Sequence, residues 1–190
     1  MISIILASTS VFRKELLQRL DIPFTTQSPN TDETPLAGET ADALVRRLAS
    51  DKAQSIQTPH SVVIGSDQVA VIDQQILGKP NNKQNAIKQL QHASAKTVVF
   101  YTGLCVFNTD TQQSQVDCIT YSVTFRTLSD SMIENYLDKE QPYNCAGSFK
   151  SEKLGVALFE RMVGDDPTAL IGLPLIRLTT MLAAENIHPI

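Results

Sequence analysis

A few charged side chains stand where the surrounding sequence is apolar, and their types together describe a site for a charged ligand. Lys52 lies in the segment 40–57, whose Ala41, Leu44, Val45, Leu48, Ala49 and Ile56 recur with helical spacing. At about 100° per residue, Lys52 falls near the middle of that apolar face. A lysine there must snorkel to solvent, pair with a carboxylate, or bind an anion. Asp67 interrupts the strand-like run "VVIGSDQVAVI", and period-two counting puts it on the face of Val63, Val69 and Val71. Asp is disfavoured in strands, and a buried carboxylate needs a partner. The alternative is a strand end or bulge, against which the run resuming at Val69 weighs. Lys79 sits in "LGKP" between a flexible Gly78 and a rigid Pro80. A chain reversal at 73–75 returns it to the neighbourhood of Asp67. By itself it reads as a solvated loop lysine, just as Asp32 and Glu33 read as solvated carboxylates of a polar loop.

The stretch "IILASTSVFRKELLQRL" adds a second kind of signal. An apolar run ends in hydroxyls, and a helix then begins with Arg13 and Lys14 in its first turn. Cations at a helix N-terminus oppose the macrodipole. An anion at the turn removes the conflict, because free backbone N–H groups at a helix start bind phosphate. Hydroxyls and an arginine at a strand-to-helix turn, two lysines and nearby carboxylates together point to a polyphosphate site. Lysines neutralise phosphate, and carboxylates hold Mg²⁺ or activate water. Neither GxxxxGK[ST] nor GxGxxG is present.

The elements that must position these residues alternate at first. Residues 2–7 read as a buried strand, 10–20 as a helix capped by Ser10, and "IPFTTQ" as a second strand. Residues 40–57 form the clearest helix. "SVVIGSDQVAVID" reads as a strand that turns at "DQQ" and returns through "ILGKP". A helix follows over 82–92, then two long strands in a hairpin, "KTVVFYTGLCVFN" and "QVDCITYSVTFRTL". A helix is expected over 129–139, a loop at "QPYNCAGSFKSE", and a last helix over 174–185 with Pro174 at its first position. This order predicts a single α/β domain, residues 1–190, with a mixed sheet.

Composition narrows the class. A net charge of −4 and no basic run argue against binding to nucleic acid. Cys105, Cys118 and Cys145 form no CxxC pair and read as reduced, buried thiols of a cytoplasmic protein. The apolar start of the chain is too short for a leader or a membrane span, so no membrane partner is expected. His60, His92 and His188 share no metal-ligand spacing and read as surface residues.

The motifs "LASTSVFRKELL", "TDET", "DKAQS", "IGSDQV", "LGKP", "CAGSFKSE" and "GLPL" resemble, in order and spacing, the Maf family of nucleoside triphosphate pyrophosphatases. The resemblance runs from residue 4 to about residue 185. "GSDQV" and "CAGSFKSE" are most similar to the branch that acts on 7-methylguanosine triphosphate, rather than the branch for dTTP and UTP. The resemblance implies an elongated, Maf/ITPase-like α/β fold with a mixed sheet flanked by helices and a cleft between two lobes. It implies hydrolysis between the α- and β-phosphates with a divalent cation, Mg²⁺ or Mn²⁺, and a homodimer.

By motif, Ser8 and Arg13 match the phosphate-binding turn, and Lys52 and Lys79 match the two lysines. Glu33 matches the acidic residue of the second motif and Asp67 the general base; both are candidate metal ligands. Phe12, Gln68 and Glu152 match positions linked to substrate choice. The turn departs from the common family pattern S-x-S-P-R-R, with Val11 for the proline and Phe12 for the first arginine. The methylated-guanosine branch carries an aromatic there, usually tryptophan. Packing on the helix face of Leu16 and Leu20 is the competing reading of Phe12, and solvation that of Glu152. The rival functions are dTTP/UTP hydrolysis and a non-catalytic role in septum formation.

Overall fold

The computed structural model describes residues 2–190. Its first elements are β1 (Ser3–Ala7), α1 (Val11–Gln18), β2 (Thr25–Gln27), α2 (Ala41–Gln54), β3 (Ser61–Ile72) and β4 (Gln75–Leu77). Then come α3 (Lys83–Ala93), β5 (Thr97–Asn108), β6 (Gln113–Phe125), α4 (Asp130–Glu140), β7 (Phe159–Val163), α5 (Pro167–Ile171) and α6 (Leu175–Ala184). The strands form one sheet in the order β2-β1-β3-β5-β6-β7, with β4 paired to β3. β1 runs parallel to β2 and β3, whereas β4 is antiparallel to β3 and β7 to β6. The sheet is therefore mixed, as the order of elements predicts. Contacts divide the chain into two compact units.

The first unit comprises Met1–Gln68, Thr102–Ile119 and Asp166–Ile190. Its strands alternate cleanly, because successive side chains leave a strand on opposite faces. Ile4, Leu6, Val62, Ile64, Leu104 and Val106 meet Leu16 and Leu17 of α1 and Leu175, Leu178, Met181 and Leu182 of α6. Ile5, Ala7, Val63, Cys105 and Phe107 face the other way, against Ala49 and Ala53 of α2. A parallel strand buried on both faces must be apolar at every position, which is why β1 reads as an unbroken run. Ser10 caps α1 as expected, its Oγ accepting from Arg13 N, and Thr40 caps α2, its Oγ1 accepting from Ala43 N.

The second unit comprises Val69–Tyr101 and Thr120–Asp165. Phe100, Phe125, Phe149 and Phe159 pack edge to face around its centre, with ring centroids 4.8–5.6 Å apart. α3 buries Ala86, Leu90 and Ala93, and α4 buries Ile133, Tyr136 and Leu137. The segment expected as a plain loop, 141–152, contains a short 3₁₀ turn at Ala146–Ser148, and Lys150 N donates to Tyr136 Oη. β7 and α5 lie where the sequence reading assigns no element. Pro174 precedes α6 at its N-cap instead of opening it.

Helix α2 sits unusually low on the sheet, and two glycines allow it. A Cβ at Gly65 would lie 2.1 Å from the Ala49 carbonyl oxygen, and one at Gly103 2.0 Å from that of Val45. The clash is with helix backbone, which no rotamer change relieves. Gly103→Ala is therefore expected to cost about 2–3 kcal/mol in urea unfolding, by forcing α2 off the sheet. Gly78→Ala, where nothing lies within 4 Å, should stay within about 0.5 kcal/mol of wild type.

Candidate active site

The low seat of α2 settles the choice left open for Lys52. The side chain does not snorkel: the residue is 5% exposed on the face of Leu44, Val45, Leu48 and Ala49. Its Nζ lies 2.6 Å from Asp67 Oδ1 and 2.5 Å from Glu33 Oε1. Asp67 leaves β3 on the face of Val63, as the alternation requires, and is 8% exposed. An unpaired ammonium or carboxylate here would be strongly destabilising, and each supplies the other's counter-charge. Glu33, whose side chain is half exposed, reaches the same ammonium from the loop that follows β2. Its sequence setting, an acidic pair in a polar loop, gives no hint of this.

Arg13 belongs to the same electrostatic group. Burial pulls its guanidinium below the usual arginine range, while Asp67 and Glu33 push it back up. Its Nε donates to the Gly172 carbonyl at 2.9 Å. Ser8 is buried, and its Oγ accepts from Ser10 N at 3.1 Å, holding the turn between β1 and α1. Ser10 Oγ takes the Arg13 amide, so the Val11 and Phe12 amides have no acceptor among the described residues. Phe12 is half-buried beside them. Lys52 and Arg13 balance Asp67 and Glu33, and the cluster is formally neutral.

Its place in the sheet has a topological reason. β1 lies between β2 and β3, with α1 on one face of the sheet and α2 on the other. That reversal opens a crevice at the carboxyl ends of the strands. β1 pairs with β3 only up to Leu6↔Ile64, so Asp67 and Gln68 stand past the last paired residue, beside the start of α1. An open groove of about 500 Å³ near β2 is lined by Lys14, Gln18 and residues 22–26, and by none of the candidate residues.

Gln68 points away from Asp67, toward α5. Its Nε2 donates to Thr102 Oγ1 at 2.9 Å and to the carbonyls of Ala169 and Leu170 at 2.8 and 3.1 Å. Buried Thr102 also donates to Ala169 O, and the one hydroxyl hydrogen of buried Ser66 stands between Gly103 O at 2.8 Å and Gly172 O at 2.9 Å, the latter being the carbonyl that holds Arg13. Asp166 caps α5, accepting from the amide and hydroxyl of Thr168 and from Ile176 N. Sequence reasoning misses this platform. Its one visible trace is "GLPL", whose Gly172 has φ +118°.

Lys79 and Glu152 belong to the second unit, and both are exposed. The loop after Lys79 is tied by Asn81 N to Tyr143 O at 2.9 Å. Burial pushes the Cys145 thiol up, Lys150 and Lys79 pull it down, and Glu152 raises it again. The two residues thus share Cys145 as an electrostatic neighbour. Burial also holds the other thiols unreactive, Cys105 at about 11 and Cys118 at about 12; of the three, only Cys105 is fully buried.

Glu33 Oε1 and Asp67 Oδ1 converge on the Lys52 ammonium, so a divalent cation would have to be held by the second oxygens of the two carboxylates. That donor set suits a hydrated Mg²⁺ or Mn²⁺ completed by substrate phosphates. No larger group of His, Cys, Asp or Glu stands close enough to hold a metal among the described residues. Among the described residues no helix is long and apolar enough to cross a membrane.

The chain is similar to curated relatives along its whole length. It is 55% identical to the 7-methyl-GTP pyrophosphatase of Vibrio cholerae over 188 residues, covering 98% of this chain and 97% of the relative. Identity to the protein of that name from Vibrio vulnificus is also 55%, over 97% and 96% of the two chains. The Pseudomonas fluorescens protein of that name is 52% identical over 99% of both. The Maf-like protein family model matches residues 3–185, and the chain belongs to that family.

Proposed function

We propose that this protein hydrolyses 7-methyl-GTP to 7-methyl-GMP and pyrophosphate, removing the modified nucleotide from the cytoplasmic pool. The observation that carries the reading is the buried Lys52 ammonium bridging Asp67 and Glu33 at the crevice beside the start of α1. The names of the full-length relatives support the substrate.

In this reading Asp67 takes the proton of a water attacking the α-phosphorus. Lys52 fixes the Asp67 carboxylate and balances charge as the phosphates pass through the transition state. Arg13, held by the Gly172 carbonyl, and the free amides of Val11 and Phe12 bind phosphate oxygens, with Ser8 shaping the turn. The family resemblance also assigns Lys79 a phosphate contact. A neutral cluster does not offset a triphosphate, so further positive charge is required. Mg²⁺ or Mn²⁺ held by Glu33 and Asp67 would supply that charge as a Lewis acid.

Methylation at N7 makes the guanine ring a cation. Such a ring is attracted to an aromatic face and to a carboxylate, the roles given to Phe12 and Glu152.

Pyrophosphate release across canonical and methylated nucleotides tests the reading, with 7-methyl-GTP expected as the best substrate. Asp67→Asn should lower kcat by at least about 10³-fold while nucleotide binding persists; an active Asp67→Asn enzyme removes Asp67 as the base. Phe12→Arg should reduce kcat/KM for 7-methyl-GTP relative to dTTP and UTP by about three- to tenfold, and an unchanged preference rules out the aromatic contact.

A further inference from the structure

Glu33 leaves the chain from a stretch with no helix or strand, residues 28–39, yet its carboxylate stands 2.5 Å from the Lys52 ammonium. An exposed, irregular loop needs an anchor to hold one side chain in place. Arg47, on α2, is that anchor. Its Nε and Nη2 donate to the two oxygens of Glu39 at 2.7 and 2.8 Å, a bidentate pair, and Nη2 also donates to Thr34 O at 3.2 Å. Asp51, one turn further along α2, accepts from Nη1 at 3.3 Å and steadies the guanidinium. Glu39 in turn closes the chain on itself, Oε2 accepting from Leu36 N and its own amide donating to Leu36 O. On the other flank Asp32 Oδ1 accepts from Thr34 N at 2.9 Å. Among the described residues, every hydrogen bond joining 34–39 to the helix runs through Arg47. An exposed single-contact ion pair would fix little, but this one is bidentate and the Glu39 side chain is 7% exposed.

We propose that Arg47 is the positioning residue for Glu33: it locks the 32–39 loop to the helix that carries Lys52, so that both members of the Glu33–Lys52 pair are set by one rigid element. The inference rests on the functional reading above, in which Glu33 works beside Asp67. Arg47 touches neither substrate nor metal in this scheme and acts through Glu33. The competing role is plain electrostatics, a cation that draws in a triphosphate. The two roles differ in what can replace the arginine. A lysine keeps the charge, but its single nitrogen cannot span both Glu39 oxygens and the Thr34 carbonyl.

The test measures pyrophosphate release from 7-methyl-GTP by Glu33→Gln, Arg47→Gln, Arg47→Lys, Glu39→Gln and the double variant Glu33→Gln/Arg47→Gln. Arg47→Gln should lower kcat/KM by about ten- to a hundredfold. Arg47→Lys and Glu39→Gln should fall with it, although the first keeps the positive charge and the second removes a negative one. The double variant should lie within about twofold of Glu33→Gln alone, because a loop without its carboxylate has nothing left to position. A structural or electrostatic Arg47 makes the two losses multiply instead. Hydrogen exchange gives a readout free of activity: the Thr34, Leu36 and Glu39 amides should exchange at least about tenfold faster in Arg47→Gln, with β3 and β5 protected as in wild type. Where exchange rises throughout the chain, Glu39→Gln is compared in its place. Losses that multiply, wild-type kcat/KM in Arg47→Lys or in Glu33→Gln, or unchanged exchange at the three amides overturns the inference. A wild type that releases no pyrophosphate from 7-methyl-GTP sinks the functional reading itself, and the exchange comparison then still decides whether Arg47 holds the loop.

Discussion

Lys52 is a full positive charge in the apolar face of a helix, and much of the first unit can be understood as what makes that tolerable. The ammonium needs carboxylates within hydrogen-bond reach, so Asp67 must leave β3 toward α2. A lysine on a helix reaches a strand residue only if the helix lies close, so the sheet carries glycine where α2 crosses it. The Glu33 loop then closes over the same charge. Each condition is weak alone. Together they put two oppositely charged pairs in one place, and a water-poor setting strengthens the field that each feels. A strongly hydrated lysine would have less effect on a phosphate; a buried one has already lost its water.

The second constraint comes from α5, a helix of only five residues. Its carbonyls accept from Gln68 and Thr102, and the carbonyl of Gly172, its C-cap, accepts from Arg13. Arg13 and Gln68 start from different elements and sit far apart in sequence, yet the same short stretch, 169–172, sets the direction of both. A site held by backbone acceptors is stiffer than one held by side chains, because the carbonyl positions are fixed by the helix and by the Asp166 cap.

Legibility in the sequence follows from the same physics. Lys52 and Asp67 are visible because a charge breaks an apolar period, and an interruption of a period is a local signal. The doubly covered sheet is visible in β1 for the converse reason, that nothing interrupts its apolar run. Glu33 is not visible by pattern: a loop carboxylate looks the same whether it meets water or a lysine, and only tertiary structure decides. Thr102 and Ser66 are invisible because hydroxyls fit strands without disturbing them. α5 is too short for a helical period to show, and β7 carries mixed polar and apolar residues at an edge. The expectation that all three cysteines are buried fails for Cys118 and Cys145, which lie in half-exposed positions that composition does not separate from Cys105.

In the proposed function the substrate differs from unmethylated GTP by one methyl group and the ring charge it creates. Attraction to an aromatic face reports that charge and is indifferent to the edge of the base. Unmethylated GTP has the same edge and no ring charge, and a pyrimidine lacks the charge and presents a different edge. Contacts at separate sites combine nearly additively in free energy, hence multiplicatively in rate. In that reading a modest contribution from Phe12 multiplies with those of the other base contacts, and none of them needs to bind the methyl group itself.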